Sequence, residues 1–343
     1  TVRLAAIGSV VNTDQTARPL TVLHDFTIDG TNSPVFNANG LSVALGNDFT
    51  INSGGTYTPS ANTTTFNGTG TQNFANNGTI TSGLYNLTIN KTSGVLLFAG
   101  SASTYTIAQM LTLTSGILND GGKTIQVAGN IHNLATHTGT GNITLNGATT
   151  QTISGDGGGT FGNLILNNPG TPGATATSDI TVSGILTLAG TGNSLFDINQ
   201  NLLSLSSTSS TALTTTGNPF GTAKMIRTSG LQSDGGVQKT FSDLSAFTFA
   251  FGVGSNYTPT TSQLTSAPTT YGTITARPVN SRHQFIVATN TNNLTWYWKV
   301  NSAGFTGIGA TAVSQTFQYM ESSVSPGGDD VNYVPARYSP TSW

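Results

Sequence analysis

The sequence predicts an all-β chain: a right-handed parallel β-helix (a β-solenoid) followed by an antiparallel β-sandwich-like domain. Three observations carry this expectation. The first is a long internal repeat. Thr65-Phe66-Asn67-Gly68 returns as Thr144-Leu145-Asn146-Gly147, and Thr71-Gln72 as Thr150-Gln151, both 79 positions on. Asn86-Leu87-Thr88-Ile89-Asn90 returns as Asn163-Leu164-Ile165-Leu166-Asn167 at offset 77, and Leu111-Thr112-Leu113 as Leu186-Thr187-Leu188 at offset 75. Landmarks in one order with drifting spacing mark tandem repetition. The second is a run of short triplets whose outer residues are apolar and whose middle residue is polar. The third is composition. Charged residues are 7% of the chain, against roughly 25% in ordinary domains, and there is a single Glu among 42 Gly, so few residues are left to clothe the exposed faces of long helices.

The β-helix is expected over residues 1–222, with core repeats at 20–210. Its strands include Phe26-Thr27-Ile28, Leu87-Thr88-Ile89, Leu111-Thr112-Leu113, Ile125-Gln126-Val127, Ile143-Thr144-Leu145, Ile180-Thr181-Val182 and Leu203-Ser204-Leu205. Alternation sends the outer two residues of each to one side. Stacked, they make an aliphatic column on the order of ten rungs high, or a rod of about 50 Å at ~4.8 Å per rung. Leu87, Ile89, Leu111, Leu113, Leu164, Leu166, Leu186 and Leu188 are the residues expected inside. Gly-rich corners such as Ser93-Gly94 and Gly121-Gly122 permit the bends, and Asn86, Asn90, Asn163 and Asn167 are expected to stack as amide ladders. An antiparallel sandwich array also has short strands, but the uneven repeat spacing disfavours it. Asn218 to Gly236 is expected as a transition.

Residues 235–343 read as the second domain, with longer strands and all three Trp, at 296, 298 and 343. Phe247–Phe251, Gln284–Ala288 and Leu294–Val300 are the strand candidates. In the last, Leu294, Trp296, Trp298 and Val300 share one face and Thr295, Tyr297 and Lys299 the other, the mark of a half-buried antiparallel strand.

These residues carry a family resemblance. The series Thr65-Phe66-Asn67-Gly68, Thr71-Gln72, Tyr85–Asn90 and Leu111–Gly116 resembles the β-strand repeats of very large secreted surface proteins of Bacteroidota, adhesin-like cargo of the type IX secretion system. Phe249-Ala250-Phe251-Gly252-Val253-Gly254, Trp296-Tyr297-Trp298-Lys299-Val300 and Tyr333-Val334-Pro335-Ala336-Arg337-Tyr338 resemble the module that often follows. The resemblance covers most of residues 20–343 and implies a secreted, cell-surface location, filament or adhesin architecture and passage through secretion machinery. The family's usual terminal sorting domain is absent from the sequence, so this chain is expected to be a segment of a longer one.

A net charge of −2 gives no electrostatic footprint for nucleic acid or an anionic membrane, and no stretch reaches the roughly 20 apolar residues of a membrane helix. Without cysteine there are neither disulfides nor thiolate metal sites. His132 and His137 are spaced wrongly to share a strand face as metal ligands, and read instead as two polar surface residues on a loop. Asp156, Asp179 and Asp197 are the acids to test for the paired carboxylates of a glycosidase, yet each also fits a turn. Gly155–Gly159 lacks the Lys-Ser/Thr of a phosphate loop. Asp329 and Asp330 are the weak calcium candidates, with an ordinary acidic turn as the favoured alternative. Tyr297, Lys299, Tyr319 and Tyr338 are the candidate contacts to glycan or protein partners.

The function expected is therefore a non-enzymatic extracellular structural or adhesive protein, with surface polysaccharide or other surface proteins as partners and no cofactor beyond the calcium just weighed. Polysaccharide binding or degradation on the same scaffold is the alternative. An ice-binding solenoid is the third reading; the absence of a regular T-x-T lattice in the sequence argues against it.

Overall fold

The structure, a computed structural model, describes residues 2–4, 10–12, 18–286, 293–309, 311–324 and 337. The chain is all-β, and its stacked parallel strands form a solenoid of about 10 turns. Each turn visits three ladders in the same order. The first begins at Leu20–Val22 and climbs through Val43–Leu45, Thr63–Phe66, residues 86–89, residues 110–113 and Asn130–Asn133. It continues through Gln151–Ser154, Ala174–Ala176, Phe196–Asn199 and Ile226–Thr228 to Phe251–Val253. The second ladder runs from Val2–Leu4 through Phe26–Ile28 to Gly236–Thr240. The third runs from residues 104–107 through Thr124–Val127, Asn142–Leu145, Leu164–Leu166 and Leu186–Leu188 to Leu213–Thr215. In the early turns its place is held by a separate parallel sheet of Val10–Asn12, Val35–Asn37, Thr56–Thr58 and Thr79–Ile80.

Alternation decides what faces inward. All eight aliphatic residues expected inside are at most 1% exposed. Ile143, Leu164, Leu186 and Leu213 stand directly above one another. The lower turns depart from the aliphatic expectation, because their core is aromatic. Phe26, Phe49 and Phe74 stack face to face with centroids 5.2 Å apart, and Phe98 closes the column edge-on at 5.5 Å. Parallel in-register strands superpose like residues one turn apart, and these rings recur every 23 to 25 positions. Offset stacking of this kind adds to the area each ring buries.

Two strands of 16 residues, Leu84–Ala99 and Thr104–Asn119, run through their corners without a break. Gly94 (φ 77°) and Gly116 (φ 90°) make those bends. A Cβ on Gly116 would lie 2.8 Å from Lys91 Cβ, and one on Gly94 would lie 2.4 Å from the Gly70 carbonyl oxygen. Handedness and space both exclude larger residues there.

The sequence repeat is not a whole number of turns. Thr65 lies on the first ladder, and three turns above it in register are Thr88, Thr112 and His132. Its repeat partner Thr144 lies two ladders further, on the third. The pairs Leu87/Leu164 and Leu111/Leu186 show the same displacement. One repeat thus spans three and two-thirds turns, so repeated residues come to rest on different ladders.

The parallel ladder passes without a gap into the antiparallel part. Gly236–Thr240 pairs parallel with Leu202–Leu205 on one side and antiparallel with Thr273–Val279 on the other. Thr273–Val279 in turn pairs antiparallel with Tyr297–Ala303. A second antiparallel sheet joins Phe247–Phe249, Thr260–Leu264 and Val313–Phe317. Phe241, Phe247, Phe249, Phe251, Leu264 and Ile274 belong to one core with the coil, and Trp298 and Val300 pack against it. Residues 218–236 include the strand Ile226–Thr228, paired parallel on both sides. The described part of the strand expected at Gln284–Ala288 is instead a turn, closed by the Ile286 N–H donating to the His283 carbonyl at 2.9 Å. Phe285 stays 52% exposed, so no packing force draws it into a sheet.

Candidate functional site

The polar chemistry of this molecule is concentrated at the corners and inside the coil. Gln72 is fully buried at the corner entering the second ladder. Its Oε1 accepts the Gly68 N–H at 2.9 Å, and its Nε2 donates to the carbonyls of Leu45 at 2.9 Å and Asn47 at 2.7 Å, one turn below. Lys91, from the turn above, donates its Nζ to Gln72 Oε1 at 2.6 Å and to the Gly68 carbonyl at 2.8 Å. One amide thereby stitches three turns together.

The repeat rebuilds this clamp on another ladder. Gln151 Oε1 accepts the Gly147 N–H at 2.7 Å, and its Nε2 donates to the carbonyls of Val127, at 2.9 Å, and Gly129. Asn168, the repeat partner of Lys91, donates Nδ2 to Gln151 Oε1 at 2.8 Å and to the Thr149 carbonyl at 2.6 Å. The recurring Asn-Gly-x-x-x-Gln is therefore a structural clamp. Its sequence signal was visible as the repeated Thr-Gln, although its role was not.

Three lysines are buried, and each donates to carbonyl or amide oxygens: Lys91 as above, Lys224 to Gly190 and Thr216, and Lys239 to Ser207 and Thr240. Desolvation lowers the pKa of all three. Lys239 falls to about 8, against a smaller opposing pull from Asp243. Its ammonium also lies 5.3 and 5.5 Å from the ring centroids of Phe241 and Phe247, within cation–π range.

Neither His132 nor His137 lies on a loop, and of the two only His132 reaches the surface. Both lie on strands, and alternation separates them. His132 points outward, its Nδ1 3.0 Å from Ser154 Oγ. His137 points into the coil and is fully buried with Asp120. Gly162 N–H donates to His137 Nδ1 at 3.1 Å, so the ring proton resides on Nε2, which donates to Asp120 Oδ2 at 3.0 Å. Burial works to raise the Asp120 pKa. The hydrogen bonds from His137 and from the Gly122 and Gly141 N–H groups outweigh it and hold the carboxyl below its ordinary value. Nothing in the sequence spacing of Asp120 and His137 announces this pair.

Each candidate acid is committed to the backbone or to a neighbouring turn. Asp156 Oδ1 accepts the Gly158 N–H at 2.8 Å in a tight turn, and Asp179 Oδ1 accepts the Leu202 N–H one turn above at 2.8 Å. Asp197 pairs at 2.6 Å with Arg227, which stands directly above it on the first ladder. Asn86, Asn130 and Asn163 make the same contact as Asp179, with the N–H groups of Met110, Thr152 and Ile185. This clasp replaces the expected amide ladders, because Asn86 and Asn163 sit on different ladders. Among the described residues, no group of three or more His, Asp or Glu is placed to hold a metal.

Tyr297 and Lys299 lie on the last strand of the continuous antiparallel sheet, opposite Val279 and Arg277. The Tyr297 ring meets His283 edge-on at 4.8 Å. Burial raises the Tyr297 pKa, with Arg277 opposing, and burial followed by Arg277 lowers that of Lys299. Tyr319 follows Val313–Phe317 in the other sheet. Tyr338, Asp329 and Asp330 lie outside the described residues. The strand expected at Leu294–Val300 is observed as Tyr297–Ala303; Trp296 lies just before it and is buried, and Trp298, within it, donates its Nε1–H to the Thr258 carbonyl at 2.9 Å.

Thr side chains do form partial columns. Thr65, Thr88 and Thr112 are in register on the first ladder, and Thr56 stacks on Thr79 in the early sheet. Ala44 and His132 interrupt the first column at its two ends. Comparison of the chain with protein-family models, curated proteins and solved structures finds no match.

Proposed function

We propose that this chain is a non-enzymatic extracellular scaffold, a stretch of a large secreted cell-surface adhesin or fibre of the kind its repeats resemble. The observation that carries this reading is where the polar groups go. Buried amides, ammonium groups and a His–Asp pair are spent on tying each turn to the next, as a part that supplies length and stiffness requires. Asp179 and Asp197 share that duty and Asp156 closes a tight turn, which supports a passive role over hydrolysis. An exterior dominated by hydroxyls and amides favours weak, multivalent contacts with polysaccharide or other surface proteins.

The test pairs two assays on the purified chain. Beads coated with it are expected to attach to polysaccharide-coated or cell surfaces. Incubation with polysaccharides is expected to release neither reducing nor unsaturated sugar ends. Turnover that disappears in the triple variant Asp156→Asn, Asp179→Asn, Asp197→Asn would replace the scaffold with an enzyme.

A further inference from the structure

The geometry points to a glycan-binding groove at the corner between the third and first ladders, shaped for a neutral sugar residue. The scaffold reading stands without it, so the site is an addition to that reading. Three successive turns build the groove, which has a volume of about 270 Å³ and is lined by Thr58, Ser60, Thr81, Ser82, Tyr85 and Ala108.

The backbone at this corner is the first observation. Ser60 (φ 54°) and Ser82 (φ 61°) are both in the left-handed region, at equivalent corners one turn apart. One turn earlier the same corner uses Asn39 (φ 52°) and Gly40 (φ 79°), the residue types that tolerate this conformation best. A serine there is strained where Gly would not be, and strained residues concentrate at functional sites. What serine adds over glycine is a hydroxyl at the lip of the groove.

The hydroxyls are the second observation. Among the described residues, the side chains of Ser60, Ser82 and Tyr85 make no hydrogen bond, so three hydroxyls of the lining are available to a ligand. Thr58 and Thr81, also in the lining, hold each other through their Oγ1 atoms at 3.2 Å and tie two of the turns that build the groove. Tyr85 is half-buried and brings an aromatic ring to the same groove.

A half-exposed ring beside free hydroxyls matches a pyranose, which has an apolar C–H face and a rim of hydroxyls. No Lys, Arg, His, Asp or Glu lines the groove, so no cation there would pair with a carboxylate or sulfate on an anionic sugar.

Affinity electrophoresis of the full chain in native gels tests this. The gels contain galactomannan, xyloglucan or mixed-linkage β-glucan as neutral probes, and alginate as the anionic one. At least one neutral polysaccharide is expected to retard the chain. Tyr85→Ala is expected to weaken that retardation about tenfold or more, while Tyr85→Phe keeps most of it. Ser82→Gly separates ligand contact from structure: it relieves the backbone, so the melting temperature holds or rises while binding falls. It also serves should Tyr85→Ala not fold. Retardation by no neutral probe, retardation by alginate alone, or binding that survives both Tyr85→Ala and Ser82→Gly would overturn the proposal.

Discussion

Replacing Gln72 with Leu removes the centre of a three-turn clamp while keeping nearly the same volume, so the effect reports hydrogen bonding and not a cavity. The substitution leaves the Gly68 N–H, the Asn47 carbonyl and the Lys91 ammonium without that partner. The Leu45 carbonyl keeps its bond from the Asn67 N–H at 3.1 Å, and Lys91 keeps the Gly68 carbonyl. Two or three buried groups lose a partner outright, and each such loss costs about 1–3 kcal/mol, with the charged group at the upper end. The expected destabilisation is therefore about 3–6 kcal/mol, concentrated near the clamp. A solenoid is coupled mainly between neighbouring turns, so hydrogen–deuterium exchange by peptide is the suitable assay. Peptides covering 63–76 and 86–98 should lose protection, while those covering 180–215 keep theirs. Gln151→Leu should act alike but more mildly, because Asn168 stands where Lys91 does and carries no charge to strand. Unchanged exchange in Gln72→Leu would refute the argument and place the strength of the coil in apolar packing alone.

Other outcomes follow from the same contacts. Lys91→Asn, which copies Asn168 at the repeat position, should be tolerated better than Lys91→Met in a urea titration, since Met leaves Gln72 Oε1 and the Gly68 carbonyl with one partner fewer. Lys239 has a folded pKa of about 8 against 10.5 when free. The unfolded chain then holds the proton more tightly between those values, and stability rises with pH across that window. Tyr105 and Tyr257, pushed up to about 12 by burial, act in the opposite sense above pH 10. The difference between wild type and Lys239→Met, followed by thermal melts from pH 7 to 10, isolates the lysine, and a flat difference would contradict its burial. Leu164→Asp puts an unpaired charge into the aliphatic column and should abolish folding of the coil by circular dichroism; a native spectrum would refute the inward assignment.

Much of the architecture was legible because one rule, alternation in short strands, governs it. Leu87, Leu111, Leu164 and Leu186 could be placed inside from their own triplets. Which triplets stack on which could not, since turns differ in length and a triplet carries no mark of its ladder. Gln72 and Gln151, equivalent in the repeat, accordingly lie on different ladders. The aromatic column had a signal in the recurrence of Phe26, Phe49, Phe74 and Phe98, which a search by turn length would have caught. Lys91, Lys239 and His137 had none. Each of these buried polar groups has a partner on a neighbouring turn, which the local sequence does not show, so composition reads them as surface. The corner at Ser60 and Ser82 was equally silent, because a left-handed serine looks like any other in a Ser-rich chain.

The register of the solenoid is the claim on which the rest depends, and a pair of introduced cysteines tests it most directly in a chain that has none of its own. Thr65 and Thr88 face outward and are direct neighbours on successive turns. Their Cα atoms should be about 4.8 Å apart, within disulfide range. The double variant Thr65→Cys, Thr88→Cys should form an intramolecular disulfide under mild oxidation of the folded chain. The pair Thr65→Cys, Thr144→Cys, equivalent in the sequence repeat but three and two-thirds turns apart, should remain reduced. Efficient crosslinking of the second pair and none of the first would contradict the stacking order.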